Sequence, residues 1–264
     1  MSDDPQYDDN GWTPRFAAWW TELKIAAAFL TRLPIRAEGI SGLSALARAT
    51  RCFPLVGCGV GLAGGILYAL AVGLDLPPLL AAIIAVAATV AMTGALHEDG
   101  LADTVDGFGG GGDRDRKLEI MRDSRIGTYG VIALVLALGA RVVALASFED
   151  NADAVAALIL CHAASRALVV GVMQRAPLAR SDGLAASAGR PTQATMLWAL
   201  GLGGIIALAL AHLDGVVAMI AGAIVAWAIT WLARRQIGGV TGDVLGAVQQ
   251  GSEIAMLLAL VALD

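Results

Sequence analysis

The residues best equipped for chemistry lie in one stretch, His97-Glu98-Asp99-Gly100-Leu101-Ala102-Asp103-Thr104-Val105-Asp106-Gly107. On a helix advancing ~100° per residue, Asp99, Asp103 and Asp106 fall at about 0°, 40° and -20°, on one narrow face. Three carboxylates so placed repel one another unless a cation joins them. Hard oxygen donors suit Mg²⁺, which keeps several waters and is held by a few carboxylates together with substrate phosphates. The expectation is therefore a Mg²⁺ site on Asp99, Asp103 and Asp106 that handles a phosphorylated substrate. A solvated helix end is the plainer alternative, and clustered acids are uncommon beside an apolar span. His97 reads as a metal ligand, a substrate or proton contact, or an interfacial residue, and magnesium's preference for oxygen weighs against the first.

Further candidates surround this motif. A glycine run, Gly107-Phe108-Gly109-Gly110-Gly111-Gly112, precedes a cationic stretch that ends in Arg122-Asp123-Ser124-Arg125. Glycines allow a mobile lid, a close backbone approach to phosphate, or simply a flexible linker, while arginines neutralise phosphoryl oxygens or lipid headgroups. Asp123 serves either as a further metal ligand or in a surface pair. Near the C-terminus, Asp243 and Gln250 stand seven residues apart on one helix face, with Glu253 a turn further on. Polar side chains at membrane depth face the bundle interior, which turns this strip toward the aspartate cluster. Arg166, with His162 one turn before it, either holds a substrate phosphate or pairs with a buried carboxylate. Arg141 lies nearer the end of its span and is expected to snorkel to the interface.

The elements that must position these groups are membrane helices. The chain is 264 residues long, 57% hydrophobic and only 16% charged, with a mean hydropathy of +0.70. Soluble domains carry about 25% charged residues. Three cysteines are too few for a disulfide framework or a zinc site, and a net charge of -5 argues against nucleic acid as a partner. Apolar runs long enough to cross ~30 Å of hydrocarbon occupy residues 53–73, 77–96, 127–147, 153–173, 194–213 and 216–233. The apolar run 254–263 is too short alone, so it needs a seventh span starting near Thr241 or a re-entrant segment. The fold expected is all-α, a polytopic membrane bundle, with an interfacial helix carrying Phe16, Trp19, Trp20, Leu23, Ala27 and Leu30 before it. Residues 1–14 read as a free acidic tail and 15–264 as one membrane-embedded catalytic domain. Sixteen of the eighteen Lys and Arg fall in alternate connecting segments. The positive-inside rule places those segments, the N-terminus and the acidic motif in the cytoplasm.

Three motifs together carry a family resemblance. They are the stretch from His97 to Gly107; Met121-Arg122-Asp123-Ser124-Arg125-Ile126-Gly127-Thr128-Tyr129-Gly130; and Gly239-Val240-Thr241-Gly242-Asp243-Val244-Leu245-Gly246-Ala247. With Phe29-Leu30-Thr31-Arg32-Leu33-Pro34 and Phe53-Pro54-Leu55-Val56-Gly57, they make the chain resemble the cobalamin synthases, adenosylcobinamide-GDP ribazoletransferases, from about Phe29 to Glu253. The resemblance implies an inner-membrane enzyme that needs Mg²⁺ and joins adenosylcobinamide-GDP to α-ribazole or its 5′-phosphate, releasing GMP. It makes Asp99, Asp103 and Asp106 the acidic metal motif. On that reading Arg122 or Arg125 steadies the leaving GMP, and Asp243 or Glu253 takes the hydroxyl proton. Glu98 departs from the apolar residue expected between His and Asp, leaving open whether it adds a ligand or faces water.

Spacing alone also fits CDP-alcohol phosphotransferases and polyprenyl-diphosphate transferases, which place aspartates around Mg²⁺ at helix ends. A transporter is the alternative from another class, although its charges would gather at the midplane rather than at one face. Membrane lipid is an expected partner, and a homo-oligomer is left open.

Overall fold

A computed structural model describes residues 13–35 and 43–264. The acidic tail expected over 1–14 falls mostly outside the described residues, as does the side chain of Phe16. Among those described there are helices and no strands.

The chain runs through α1 (Thr13–Leu30), α2 (Leu43–Ala49), α3 (Phe53–Gly73), α4 (Pro78–Thr93), α5 (Leu96–Gly110), α6 (Arg114–Ile120), α7 (Thr128–Ala146), α8 (Asn151–Arg175), α9 (Leu184–Ala188), α10 (Gln193–Ile237) and α11 (Gly242–Val261). Five of these, one of them extended by α2 and the turn before α3, are long and apolar enough to cross a membrane. The pair α4 and α5 passes that test jointly, bent by 88° at its break. Two consecutive residues of positive φ, Gly94 at 64° and Ala95 at 57°, make that bend. Glycine tolerates the left-handed region, whereas alanine pays for it in strain, so surrounding packing must hold the turn.

The 45 residues of α10 would reach about 68 Å if straight, over twice the ~30 Å hydrocarbon core. They do not run straight. Ala211 and His212 leave helical geometry, and Gly215 packs so tightly on Ala207 that a side chain there would strike its carbonyl. This helix therefore forms a hairpin of two arms, matching the two runs read from sequence. At the other end of the chain, the Asp264 carboxylate accepts the Glu149 backbone N–H at 2.9 Å. The chain thus ends beside the α7–α8 turn, and α11 runs unbroken for 20 residues. At that length α11 is itself apolar enough to cross a membrane, as the seventh span read from sequence would require.

Close helix packing rests on small residues. Gly57 and Gly61 on α3 lie directly against the α8 backbone at His162 and Leu158, leaving no room for a Cβ. The N-terminal helix docks on the bundle rather than floating beside it. Trp19 meets Trp198 edge-on with ring centroids 5.7 Å apart, and the Arg51 guanidinium sits 3.8 Å over the Trp19 ring. Glu22 is buried and paired with Arg51, while Trp20 stays exposed.

Candidate active site

The site forms where α5 crosses the start of α11. A Cβ on Gly100 would lie 2.8 Å from the Asp243 carbonyl, and one on Gly246 would lie 3.0 Å from the His97 carbonyl. Only glycines let the two backbones meet this closely, and the contact brings His97 and Asp99 beside Asp243. All three line a cleft of about 690 Å³ that opens to solvent, with Arg166 on a further wall and Phe29, Phe53 and Met173 among its apolar surfaces.

The turn before α11 is fixed by the sequence that encodes it. Gly238 caps α10 at φ 82°, and Thr241 then caps α11 by accepting the Val244 N–H at 3.3 Å. The Thr241 hydroxyl donates to Asp243 at 3.0 Å, orienting that carboxylate. Val240 pairs with the segment after α8: its N–H donates to the Pro177 carbonyl and its own carbonyl accepts from Ala179, both at 2.9 Å. This short bridge delivers Arg180 to the site, with Nη2 3.4 Å from Asp243 and Nε 3.8 Å from Asp182. Its Nη1 is buried without a hydrogen-bond partner. Sequence reasoning used Arg180 only as a topological charge, because the site partner Asp243 lies 63 residues away and no local pattern announces it.

The three aspartates of α5 have different environments. Asp99 is exposed, Asp103 is half-buried and Asp106 is buried. Asp99, Asp243 and Asp106 all act electrostatically on Asp103. Asp106, however, faces the start of α7, where it accepts the N–H of Gly127 at 2.7 Å and of Gly130 at 2.8 Å. Gly127 has no side chain to cap that helix, and Asp106 supplies both the acceptors and a negative charge at the positive end of the dipole. This differs from the expectation of three equivalent metal ligands. Among the described residues no group of three or more His, Cys, Asp or Glu could hold a metal ion by itself. Asp99 and Asp243 line the cleft, and Asp103, one turn along α5 from Asp99, feels the charge of both; hard oxygen donors of this kind suit Mg²⁺ when it shares its shell with substrate phosphates and water.

Behind the cleft lies a buried charge network. The Arg141 side chain is 1% exposed and lies 2.9 Å from both Glu98 and Glu253. It also donates to Thr89 at 3.1 Å and sits 3.4 Å from Gln250. Gln250 donates to Glu98 at 3.1 Å, and Gln249 donates to Glu253 at 2.6 Å. The His162 Nδ1 is 3.2 Å from Glu253 and 3.0 Å from Arg166. Two arginines thus balance two glutamates. Arg141 does not snorkel; its guanidinium is at the centre of this network. Glu98 neither faces water nor joins the acids at the mouth. Glu253 and Gln250, expected at the reacting centre, are committed here and do not line the cleft. The sequence carried one usable signal, two arginines, Arg141 and Arg166, set inside apolar spans where an unpaired charge is costly.

The loop before α7 stands farther out. Arg122 pairs with Asp182 at 2.8 Å and Arg125 with Asp123 at 2.7 Å, both on the surface. The Arg125 hydrogen bonds pull the Asp123 carboxyl down to about 2. Ser124 is exposed. None of the four lines the cleft, although Arg122 reaches the site's edge through Asp182 and Arg180. The glycine-rich run does not release a free lid either: α6 is anchored, with Arg114 donating to the Ile237 carbonyl at 3.0 Å and the Ala179 carbonyl at 2.6 Å.

A family model described as cobalamin-5-phosphate synthase matches residues 22–261. The chain belongs to that family. It is 48% identical over 242 residues to the adenosylcobinamide-GDP ribazoletransferase of Bradyrhizobium diazoefficiens, covering 91% of this chain and 93% of the relative. Relatives of the same name from Sinorhizobium medicae and Mesorhizobium japonicum are 45% and 46% identical, each covering 92% of this chain and respectively 96% and 94% of the relative. No solved structure matches it. For a cobalamin-5-phosphate synthase family member, an acidic cleft mouth with guanidinium groups beside it is suited to a diphosphate substrate.

Proposed function

We propose that this protein joins adenosylcobinamide-GDP to α-ribazole or α-ribazole 5′-phosphate, yielding adenosylcobalamin or its 5′-phosphate and GMP. The observation that carries this reading is one cleft bounded by Asp99 and Asp243, with Arg166 in its wall and Arg180 at 3.4 Å from Asp243. In the reaction a ribazole hydroxyl oxygen attacks the phosphorus nearest cobinamide. The bond from that phosphorus to the GMP phosphate oxygen breaks, and GMP leaves with the electron pair. Such transfers depend on positioning and on cations that absorb charge at the phosphoryl oxygens.

Asp243 is the carboxylate placed to accept the hydroxyl proton, since Glu253 is enclosed by its ion pair. Arg180 and Arg166 orient the diphosphate and offset its charge. His97, buried in the cleft wall, shapes the pocket and contacts substrate. Asp99 and Asp103 would hold Mg²⁺, which when bound supplies Lewis-acid stabilisation of the diphosphate oxygens. Because the cation-rich loops share one end of the bundle with the cleft, we place that end in the cytoplasm and the protein in a bacterial inner membrane.

The test is GMP release and corrinoid product formation by protein in liposomes, given adenosylcobinamide-GDP and either acceptor, with Mg²⁺ or with chelator. Product that requires Mg²⁺ and Asp103 is the expected result. Well-folded protein that makes none with either acceptor overturns the proposal and favours lipid-phosphate transfer.

A further inference from the structure

We propose that a phospholipid with an anionic headgroup binds a groove on the outside of the bundle, with its acyl chain between α8 and the two arms of α10 and its phosphate between Arg175 and Arg234. The groove holds about 1430 Å³ of empty space, open along its side. It lies across α8 from the cleft. The cleft uses Arg166, Val169 and Met173, whereas the groove uses Leu168, Val172 and Arg175.

Its lining grades from apolar to cationic. Gly171 and Gly204 widen it, since a Cβ at either position would only just touch Leu200 or Met219. Along the second arm, the 18-residue rise from Val216 to Arg234 is about 27 Å, more than the half of a ~30 Å hydrocarbon core that one leaflet's chains fill. Ile220 and Trp227 are exposed at its rim, so the chain of a neighbouring lipid enters from the side. At the other end Arg175 and Arg234 are both exposed, and among the described residues neither side chain has a hydrogen bond or ion pair. The adjacent Arg235 is different, stacking 4.1 Å over Trp231. Two unpartnered guanidiniums closing a long apolar groove match an anion that carries hydrocarbon. A nucleotide would leave the apolar length unfilled, and a zwitterionic lipid would bring its own cation to the arginines.

Native mass spectrometry of the protein in mild detergent tests this, with phosphatidylglycerol and phosphatidylcholine of identical chains titrated in competition. The wild type should retain phosphatidylglycerol over phosphatidylcholine by roughly tenfold or more, the scale of two basic residues acting on an anionic headgroup. The pair of substitutions R175Q and R234Q, both exposed and outside the catalytic cleft, should abolish that preference and leave activity intact. Filling the groove with Gly204→Leu should reduce retention while both arginines remain. Equal retention of the two lipids by the wild type, or a preference that survives R175Q with R234Q, overturns the proposal. So does full retention by a folded Gly204→Leu protein, which would place the lipid elsewhere.

Discussion

Arg141 of α7 and Glu98 of α5 form an ion pair at 2.9 Å with both side chains withdrawn from solvent. The same guanidinium reaches Glu253 on α11 and Thr89 on α4, so one side chain joins four helices. Two of them, α5 and α11, carry the acids of the cleft. The pair is a positioning device behind the site rather than a member of it, and Glu98 is charged in order to meet Arg141.

Removing one member of such a pair leaves the others buried and uncompensated. Arg141→Met strands two carboxylates and should cost about 3–5 kcal/mol, read as a lower unfolding midpoint in detergent. Glu98→Gln keeps an acceptor and should cost less. Equal melting of Arg141→Met and wild type would show that the network does not hold these helices.

The aspartates of α5 should separate into two classes when activity and stability are measured together. Asp106→Ala strips two charge-assisted hydrogen bonds from the start of α7 and should destabilise by about 2 kcal/mol or more. Asp103→Asn removes a charge from among like charges, so it should abolish turnover while the melting temperature holds or rises. If Asp103→Asn melts earlier and Asp106→Ala does not, their roles are reversed.

Helical periodicity put Asp99, Asp103 and Asp106 on one face, and hydropathy located the long apolar helices, including both arms of α10. These are local signals. What escaped depends on distant partners. The N–H groups that claim Asp106 belong to Gly127 and Gly130, and the acids that bury Arg141 come from two other helices. Arg180 enters the site through a bridge between Leu178 and Val240. Spacing cannot report such contacts; at most, two arginines inside apolar spans hint that buried carboxylates must meet them.

The arginines near the site should also divide. Arg122 forms an exposed pair, worth up to about 1 kcal/mol, so Arg122→Gln should change stability and turnover little. Arg180→Gln removes the guanidinium beside Asp243 and should cut kcat/KM for adenosylcobinamide-GDP by roughly a hundredfold, as losing one charge-assisted contact in a transition state does. Comparable losses in the two variants would instead assign phosphate binding to the loop before α7.

Gly100 tests whether the α5–α11 contact sets the site's geometry. Its missing side chain lets α5 approach to where a Cβ would stand 2.8 Å from the Asp243 carbonyl and 3.0 Å from the Asp243 Cα, both backbone atoms that cannot rotate away. Gly100→Ala therefore forces the helices apart and moves Asp99 and Asp103 relative to Asp243. A displacement near 1 Å at reacting groups costs about a hundredfold in rate. Helix propensity pulls the other way, favouring alanine over glycine by up to about 1 kcal/mol. The expected outcome is a large fall in kcat with only a modest change in melting temperature. Gly139→Ala, on α7 where a Cβ meets nothing within 4 Å, is the matched control and should keep full activity. Wild-type turnover by Gly100→Ala would mean that α5 has slack against α11 and that the close approach does not set the distance between the acids.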